Sequence, residues 1–426
     1  MKKKVFVIGL DAFNLGKIQN LPEAQDCDFV PALYFSEIRS SQNISIPDLL
    51  KVADKRIKDA GGIDAVVTWF DFPATLLLPV MAKKYHLQGP TLESVLKCEH
   101  KYWSRLEQQK VIPAHIPRFK VFDPHDLSAW DNINFHPPFW VKPVKSYNSY
   151  LAYQVNNSAQ FEKYMQNVRR NIDFFCHPFN YIQEAFNMPA MYLEMKETMI
   201  AETQVGGYQC TAEGYVYEGE VVVYGFVDSV SHKNISSFCH YLYPSVLPQA
   251  LQSKMTSIIQ KVIPQLGLDN TAFNVEFFCE KETNNIFLLE VNPRMSQSHA
   301  DIFEKVHGYS HHRIMLHVAL NRKPPSLSMN GKFKVAGHFM LRAFKDAWVK
   351  KVPDQETVDQ LKQKYPGLTL SFNVREGMYL RELREYQLDS YSYVLANLNL
   401  GAQSKEELLE QYKDIVNTLD IDLQPR

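Results

Sequence analysis

Nowhere in this 426-residue chain do apolar residues run on for the roughly 20 positions that a membrane-crossing helix requires, so no membrane partner is expected. A charge excess is missing too: 46 lysines and arginines stand against 47 aspartates and glutamates. That balance argues against a general nucleic-acid or anionic-membrane binder but still allows a local basic cleft for phosphates. The six cysteines, at 27, 98, 176, 210, 239 and 279, never approach the spacing of a zinc knuckle or redox pair. In a chain this long they read as reduced, mostly buried residues of a cytoplasmic protein. There is no G-x-G-x-x-G, which sets aside a dinucleotide turn, and no internal repeat or low-complexity segment. The opening Met1-Lys2-Lys3-Lys4 and the apolar run behind it mimic a secretion signal. That run stops after six residues at Asp11 without a small-residue cleavage site, so it reads as a β-strand.

The composition that is present, 45% hydrophobic and 22% charged, is that of a globular chain, and the length implies two or three domains. Three short β-rich runs, residues 5–10, 29–35 and 65–70, alternate with a helical pattern over 47–60 that stops at Gly61-Gly62. This predicts a small parallel α/β domain over residues 1–90. Next come a helix over 92–110, strands at 118–121 and 139–144, a helix over 159–171 and a strand at 181–185. From 204 to 228 the alternation is broken by Gly206-Gly207, Gly214 and Gly219, which predicts antiparallel hairpins turning at Tyr217-Glu218-Gly219-Glu220. A helix over 249–266 precedes strands at 273–279 and 286–291 and a mostly helical stretch at 302–320. Beyond Pro324-Pro325 a smaller α+β region is expected, with strands at 333–344 and 369–374 and helices at 357–364 and 405–418. The fold class is therefore α/β and α+β, with boundaries at 1–90, 91–325 and 326–426.

The strongest chemical signal lies in the strand pair. Glu276 sits in Phe273-Asn274-Val275-Glu276-Phe277-Phe278, and Glu290 in Leu288-Leu289-Glu290-Val291-Asn292-Pro293-Arg294. A carboxylate in apolar surroundings is costly without a counter-charge, and two side by side repel. A divalent cation removes both problems, and Glu276, Glu290 and the amide oxygen of Asn292 are hard ligands suited to Mg²⁺. Arg294, where the chain leaves the sheet, is placed to grip a carboxylate or a phosphoryl group.

This run resembles the metal-binding end of the ATP-grasp superfamily, which includes biotin carboxylase, D-alanine–D-alanine ligase and L-amino acid ligases. The resemblance implies an ATP-grasp fold, with residues 1–90 as the preceding α/β domain and 91–325 as two lobes holding the nucleotide. It implies ATP and Mg²⁺ as cofactors, Mn²⁺ being an alternative. Glu276, Glu290 and Asn292 would hold one or two ions between the β- and γ-phosphates, and Arg294 would orient the carboxylate or stabilise an acyl-phosphate. Lys101, with Lys97 as the fallback, would contact the α-phosphate. Lys142 resembles the second phosphate lysine. Lys145 and Ser146 open the stretch at 145–150 that takes the place of the family's glycine-rich lid, although this stretch has no glycine. The segment at 181–186 resembles the hinge strand, where Ala185 and Phe186 would meet the adenine edge and Glu184 its amino group or the ribose. Residues 188–203 then read as an insertion, and Gln209 stands nearest the ribose-binding position.

The implied activity is ligation: a carboxylate becomes an acyl-phosphate and an amine captures it, with small-molecule acid and amine as partners. Homodimers are common among such relatives. His299 would line the substrate pocket. Biotin-carboxylase-like use of bicarbonate is disfavoured, because Met295-Ser296-Gln297-Ser298-His299 lacks the carboxylase's glutamate. A catalytically inactive nucleotide-binding regulator is the reading from a different class. His307, His311 and His312 read as partly exposed helix-end residues, Arg342 and Arg375 as surface arginines, and nothing identifies an activating partner for Cys239.

Overall fold

The computed structural model describes residues 2–39, 44–146, 149–186, 188, 197–232, 237–280, 283–385 and 392–425. Three strands, β1 (Lys3–Leu10), β2 (Cys27–Tyr34) and β3 (Ala65–Val67), form a parallel sheet in the order β2-β1-β3. Val5, Phe6, Val7 and Ile8 are fully buried. A parallel sheet covered on both faces demands such a continuous apolar run. Asp11 and Asp71 follow β1 and β3 at the carboxyl ends of these strands, where open α/β sheets leave a crevice. Asp11 caps the helix Ala12–Gln19 by accepting the Asn14 N–H at 2.9 Å.

A second, antiparallel sheet joins β4 (Phe119–Phe122), β5 (Phe139–Pro143), β6 (Tyr153–Val155) and β7 (Met199–Thr203) in the order β4-β7-β5-β6. Its core of Phe139, Val141, Val155, Met199 and Ala201 packs on Phe161, Met165 and Val168 of the helix Ser158–Asn171. The helix expected over 92–110 is broken in two, Leu92–Glu99 and Lys101–Val111. His100, with ψ at 103°, ends the first helix, and its Nδ1 accepts the Trp103 N–H to cap the second. The strand expected at 181–185 is instead the last turn of the helix Asp173–Ala185. Phe175, Cys176, Pro178, Phe179, Ile182 and Gln183 are its buried positions, a helical period that prevailed over the β-prone composition. Nor are residues 188–203 a simple insertion. Residues 189–196 lie outside the described residues, but β7 is an inner strand of this sheet.

The largest sheet has eight strands. They are β8 (Tyr208–Tyr217), β9 (Glu220–Ser231), β10 (Phe238–Tyr243), β11 (Thr271–Glu280), β12 (Asn285–Asn292), β13 (Val335–Ala343), β15 (Thr369–Phe372) and β16 (Tyr393–Ala402), while β14 (Ala347–Lys351) pairs with β17 (Asp422–Pro425). The order is β12-β11-β8-β9-β10-β13-β16-β15. The β8–β9 turn has Glu218 and Gly219 both at positive φ, 50° and 78°, as a two-residue hairpin of the primed type requires. On one face of the sheet Phe273, Val275 and Phe277 join a core with Met255, Ile259 and Val262 of the helix Gln249–Leu266. Because side chains alternate along a strand, Asn274 and Glu276 are left on the other face. The antiparallel pairings of β10 with β13 and of β13 with β16 carry the sheet across the expected boundary at 325/326. Among the described residues no helix is long and apolar enough to cross a membrane.

Candidate active site

Glu276 and Glu290 are direct cross-strand partners, and one step along the same face Asn274 pairs with Asn292. Asn292 donates its side-chain amide to Asn274 Oδ1 at 2.9 Å and lies 3.5 Å from Glu276 Oε1. Asn274 in turn donates to the Arg294 carbonyl at 3.0 Å, fixing the chain as it leaves β12. The two carboxyls are not equivalent. Burial, and then the negative charge of Glu290, push Glu276 up to about 7. Burial acts on Glu290 as well, but Lys101 and Lys142 hold it below the usual carboxylate range. The pair thus lacks positive charge on the Glu276 side. Two carboxylates and an amide oxygen fit a hard divalent cation that takes its other ligands from phosphate and water. Among the described residues no three His, Cys, Asp or Glu side chains converge on a metal position, so an all-protein cage is not formed.

Two lysines approach from the other side, Lys142 from β5 and Lys101 from a helix start. Lys101 opens the helix Lys101–Val111, with its backbone N–H on the Val144 carbonyl at 2.9 Å. Its Nζ donates to the Ser146 carbonyl and lies 3.0 Å from Glu290 Oε1. Lys142 Nζ is 2.7 Å from Glu202 Oε2, and Arg105 Nε is 2.6 Å from Glu202 Oε1. Burial alone would raise the Glu202 carboxyl, but Arg105 and Lys142 outweigh it and bring it down to about 2.

Beyond Asn292, Arg294 pairs fork to fork with Asp71, Nε–Oδ1 at 2.8 Å and Nη2–Oδ2 at 2.6 Å. Glu213, on β8 opposite Asn274, accepts His299 Nδ1–H at 2.7 Å and the Ser296 N–H at 3.3 Å. Burial and then the Arg294 charge lower His299 to about 3, so its imidazole is neutral. Its Nε2 is buried without a hydrogen-bond partner among the described residues.

Residues 135–300 match the family model of the ATP-grasp domain. The fold is the ATP-grasp fold. Its fold is similar to that of L-amino acid ligase from Bacillus licheniformis, with a TM-score of 0.71, 19% identity and 99% of each chain covered. It is also similar to biotin carboxylase from Campylobacter jejuni, with a TM-score of 0.68, 13% identity and coverage of 100% of this chain and 93% of that one. Phosphoribosylglycinamide synthetase from Anaerococcus prevotii gives a TM-score of 0.63 at 17% identity, with both chains fully covered. No curated protein matches the sequence.

Within the ATP-grasp fold the structure gathers Lys101, Glu276, Glu290, Asn292 and Arg294 around one sheet end, with Lys142 held nearby by Glu202. Other expected residues lie elsewhere. Lys145 is buried, with its ammonium on Asn180 Oδ1 and over the Phe179 ring, so it faces the helix Asp173–Ala185. Ser146 turns its hydroxyl to the Pro143 carbonyl at 3.3 Å, and of the lid Tyr147 and Asn148 lie outside the described residues. Glu184, Ala185 and Phe186 sit exposed at a helix end rather than in a hinge strand. Lys97 pairs with Glu93 at 2.8 Å. His307, His311 and His312 are buried rather than exposed, and His307 Nε2 meets Tyr243 OH at 2.6 Å. Arg342 is anchored to the Phe238 carbonyl and Ser392 hydroxyl, both at 2.7 Å, whereas Arg375 is exposed. Burial raises the Cys239 thiol, the opposite of an activated nucleophile. Sequence reasoning missed Asp71, Glu99, Arg105, Glu202 and Glu213. The signal for Glu202 was available: an acid inside Met199-Ile200-Ala201-Glu202, the same cue that singled out Glu276.

Proposed function

We propose that this chain is an ATP-dependent ligase that converts a substrate carboxylate to an acyl-phosphate and joins it to an amine. The observation that carries this reading is the register of Glu276 with Glu290, with Lys101 on one flank and Arg294 on the other. Glu276, Glu290 and Asn292 would hold Mg²⁺, which when bound supplies charge neutralisation for the phosphate oxygens. Lys101 and Lys142 present fixed positive charge to the phosphates, and Arg294 orients the acid for in-line attack. A carboxylate oxygen attacks the γ-phosphorus and ADP leaves. The neutral amine then adds to the acyl carbon, phosphate leaves, and the nitrogen releases a proton to solvent or phosphate. The demand on the protein is alignment and charge compensation rather than covalent chemistry, which fits a site without an activated nucleophile.

The test is product mass analysis after incubation with Mg–ATP and pooled amino acids, with and without bicarbonate. ADP and a condensed product at a mass of acid plus amine minus water are expected. Glu290→Ala and Arg294→Ala should abolish ADP formation with circular dichroism unchanged. Full turnover in either variant removes that residue from the chemistry, and strict bicarbonate dependence replaces the ligation reading with carboxylation.

A further inference from the structure

The fork of Arg294 is filled by a carboxylate of the chain itself. Asp71 holds both ends of it, and the pair borders solvent, with side chains 13% and 20% exposed. A second acid approaches the same guanidinium from the helix Leu92–Glu99. Glu99 interacts electrostatically with Arg294 and Asp71, and its Oε1 is buried without a hydrogen-bond partner among the described residues. The Thr75 hydroxyl, also buried, faces Glu99 and favours its charged form, but less than burial and Asp71 oppose it. Burial and the charge of Asp71 push Glu99 up to about 8, the mark of a negative charge with too little compensation. Glu213, the third acid near Arg294, is already satisfied by His299 and Ser296. Of these three acids only Glu99 keeps a buried carboxyl oxygen without a hydrogen-bond partner among the described residues.

We propose that the acid substrate is a zwitterionic α-amino acid, whose carboxylate takes Asp71's place on the Arg294 fork while Asp71 and Glu99 receive its ammonium. This rests on the reading of Arg294 as the carboxylate grip. The exchange conserves charge: one Arg–Asp pair becomes an Arg–carboxylate pair and an ammonium–acid pair. The ammonium's three N–H donors meet the two Asp71 oxygens and the vacant Glu99 Oε1. A plain carboxylic acid or bicarbonate would instead displace Asp71 from Arg294 and bring no cation to replace its partner. Stripping a buried charge of its partner is strongly destabilising. Ammonium and carboxylate must lie close together, because Asp71 touches Arg294 directly; that favours α-amino acids over long-chain ones.

Isothermal titration calorimetry on the full chain with Mg²⁺ and a nonhydrolysable ATP analogue tests this. The probes are L-alanine, L-leucine, L-methionine and L-phenylalanine, each against its deamino acid. At least one amino acid should bind on the order of 100-fold more tightly than its deamino partner. Glu99→Gln and Asp71→Asn should each shrink that preference at least about 10-fold. Equal binding within each pair, a silent panel, or an unchanged preference in both variants overturns the proposal. If the variants do not fold, the wild-type pairs decide alone. ADP release measured in parallel separates the two readings. Discrimination without ADP release keeps this inference and removes the ligase, and ADP release with propionate as readily as with alanine does the reverse.

Discussion

Glu202 receives the guanidinium of Arg105 at 2.6 Å, and the same guanidinium donates to the Leu288 and Leu289 carbonyls at 3.2 and 2.8 Å. Through this contact β7 of the small sheet is tied to β12 of the large one. Glu202→Gln leaves Arg105 and Lys142 as buried cations short of a counter-charge. A loss of about 3 kcal/mol or more is expected, read as a lower urea midpoint with the slope unchanged. A midpoint within error of wild type would mean that solvent already screens the pair.

The pH dependence of stability has a defined sign. Glu276 and Glu213 are pushed up to about 7 and Glu99 to about 8, each with burial as the leading cause. An unfolded glutamate titrates near 4.5, so between pH 6.5 and 8.5 the folded state holds protons that the unfolded state has lost. Stability must fall as pH rises through that window, on the order of 1 kcal/mol per carboxyl. The histidines lowered by burial, His299, His311 and His338, act below pH 6.5 and do not mask the effect. Scanning fluorimetry should show Tm falling from pH 6.5 to 8.5, with Mg²⁺ and a nonhydrolysable ATP analogue reducing the fall. A flat profile would mean that these carboxyls are ionised throughout.

Lys101→Met removes the ammonium that faces Glu290 at 3.0 Å and leaves that acid less compensated. Affinity for a fluorescent ATP analogue should drop by roughly 10- to 100-fold, the worth of one or two charge-assisted contacts. Unaltered affinity would assign Lys101 to tethering Ser146 and not to the nucleotide.

Gly207 joins β7 to β8 at φ +117°, and a Cβ there would lie 2.5 Å from the Cys279 carbonyl oxygen. Both the dihedral and the backbone clash penalise a side chain. Gly207→Ala should cost about 2 kcal/mol and lower Tm by roughly 2 °C. Wild-type stability would show that the junction relaxes freely.

Legibility in the sequence followed the range of the forces. The β11–β12 hairpin could be read because two alternating runs flank a polar turn, and period two then puts Glu276 and Glu290 on one face. Lys101, Asn292 and Arg294 followed from their positions in that local frame. Residues 181–186 misled because Tyr181, Ile182 and Phe186 carry strand propensity, while the burial of Ile182 and Gln183 continues a helical face set by residues 175–179 across Pro178. Asp71, Glu99 and Glu213 could not be found locally: each takes its meaning from Arg294, far away in the chain. Lys145 looked like its neighbour Lys142 in sequence, and only the helix packed behind β5 turns it away.

The ladder from His240 to Phe339 and on to Leu398 has an implication for dissecting the molecule. Cutting at Pro324-Pro325 would strip β10 of its neighbour and leave a row of open amide and carbonyl groups, the kind of edge that recruits other chains. A minimal nucleotide-binding fragment obtained that way should precipitate, whereas the same cut with the tail supplied as a separate peptide should reassemble by strand complementation.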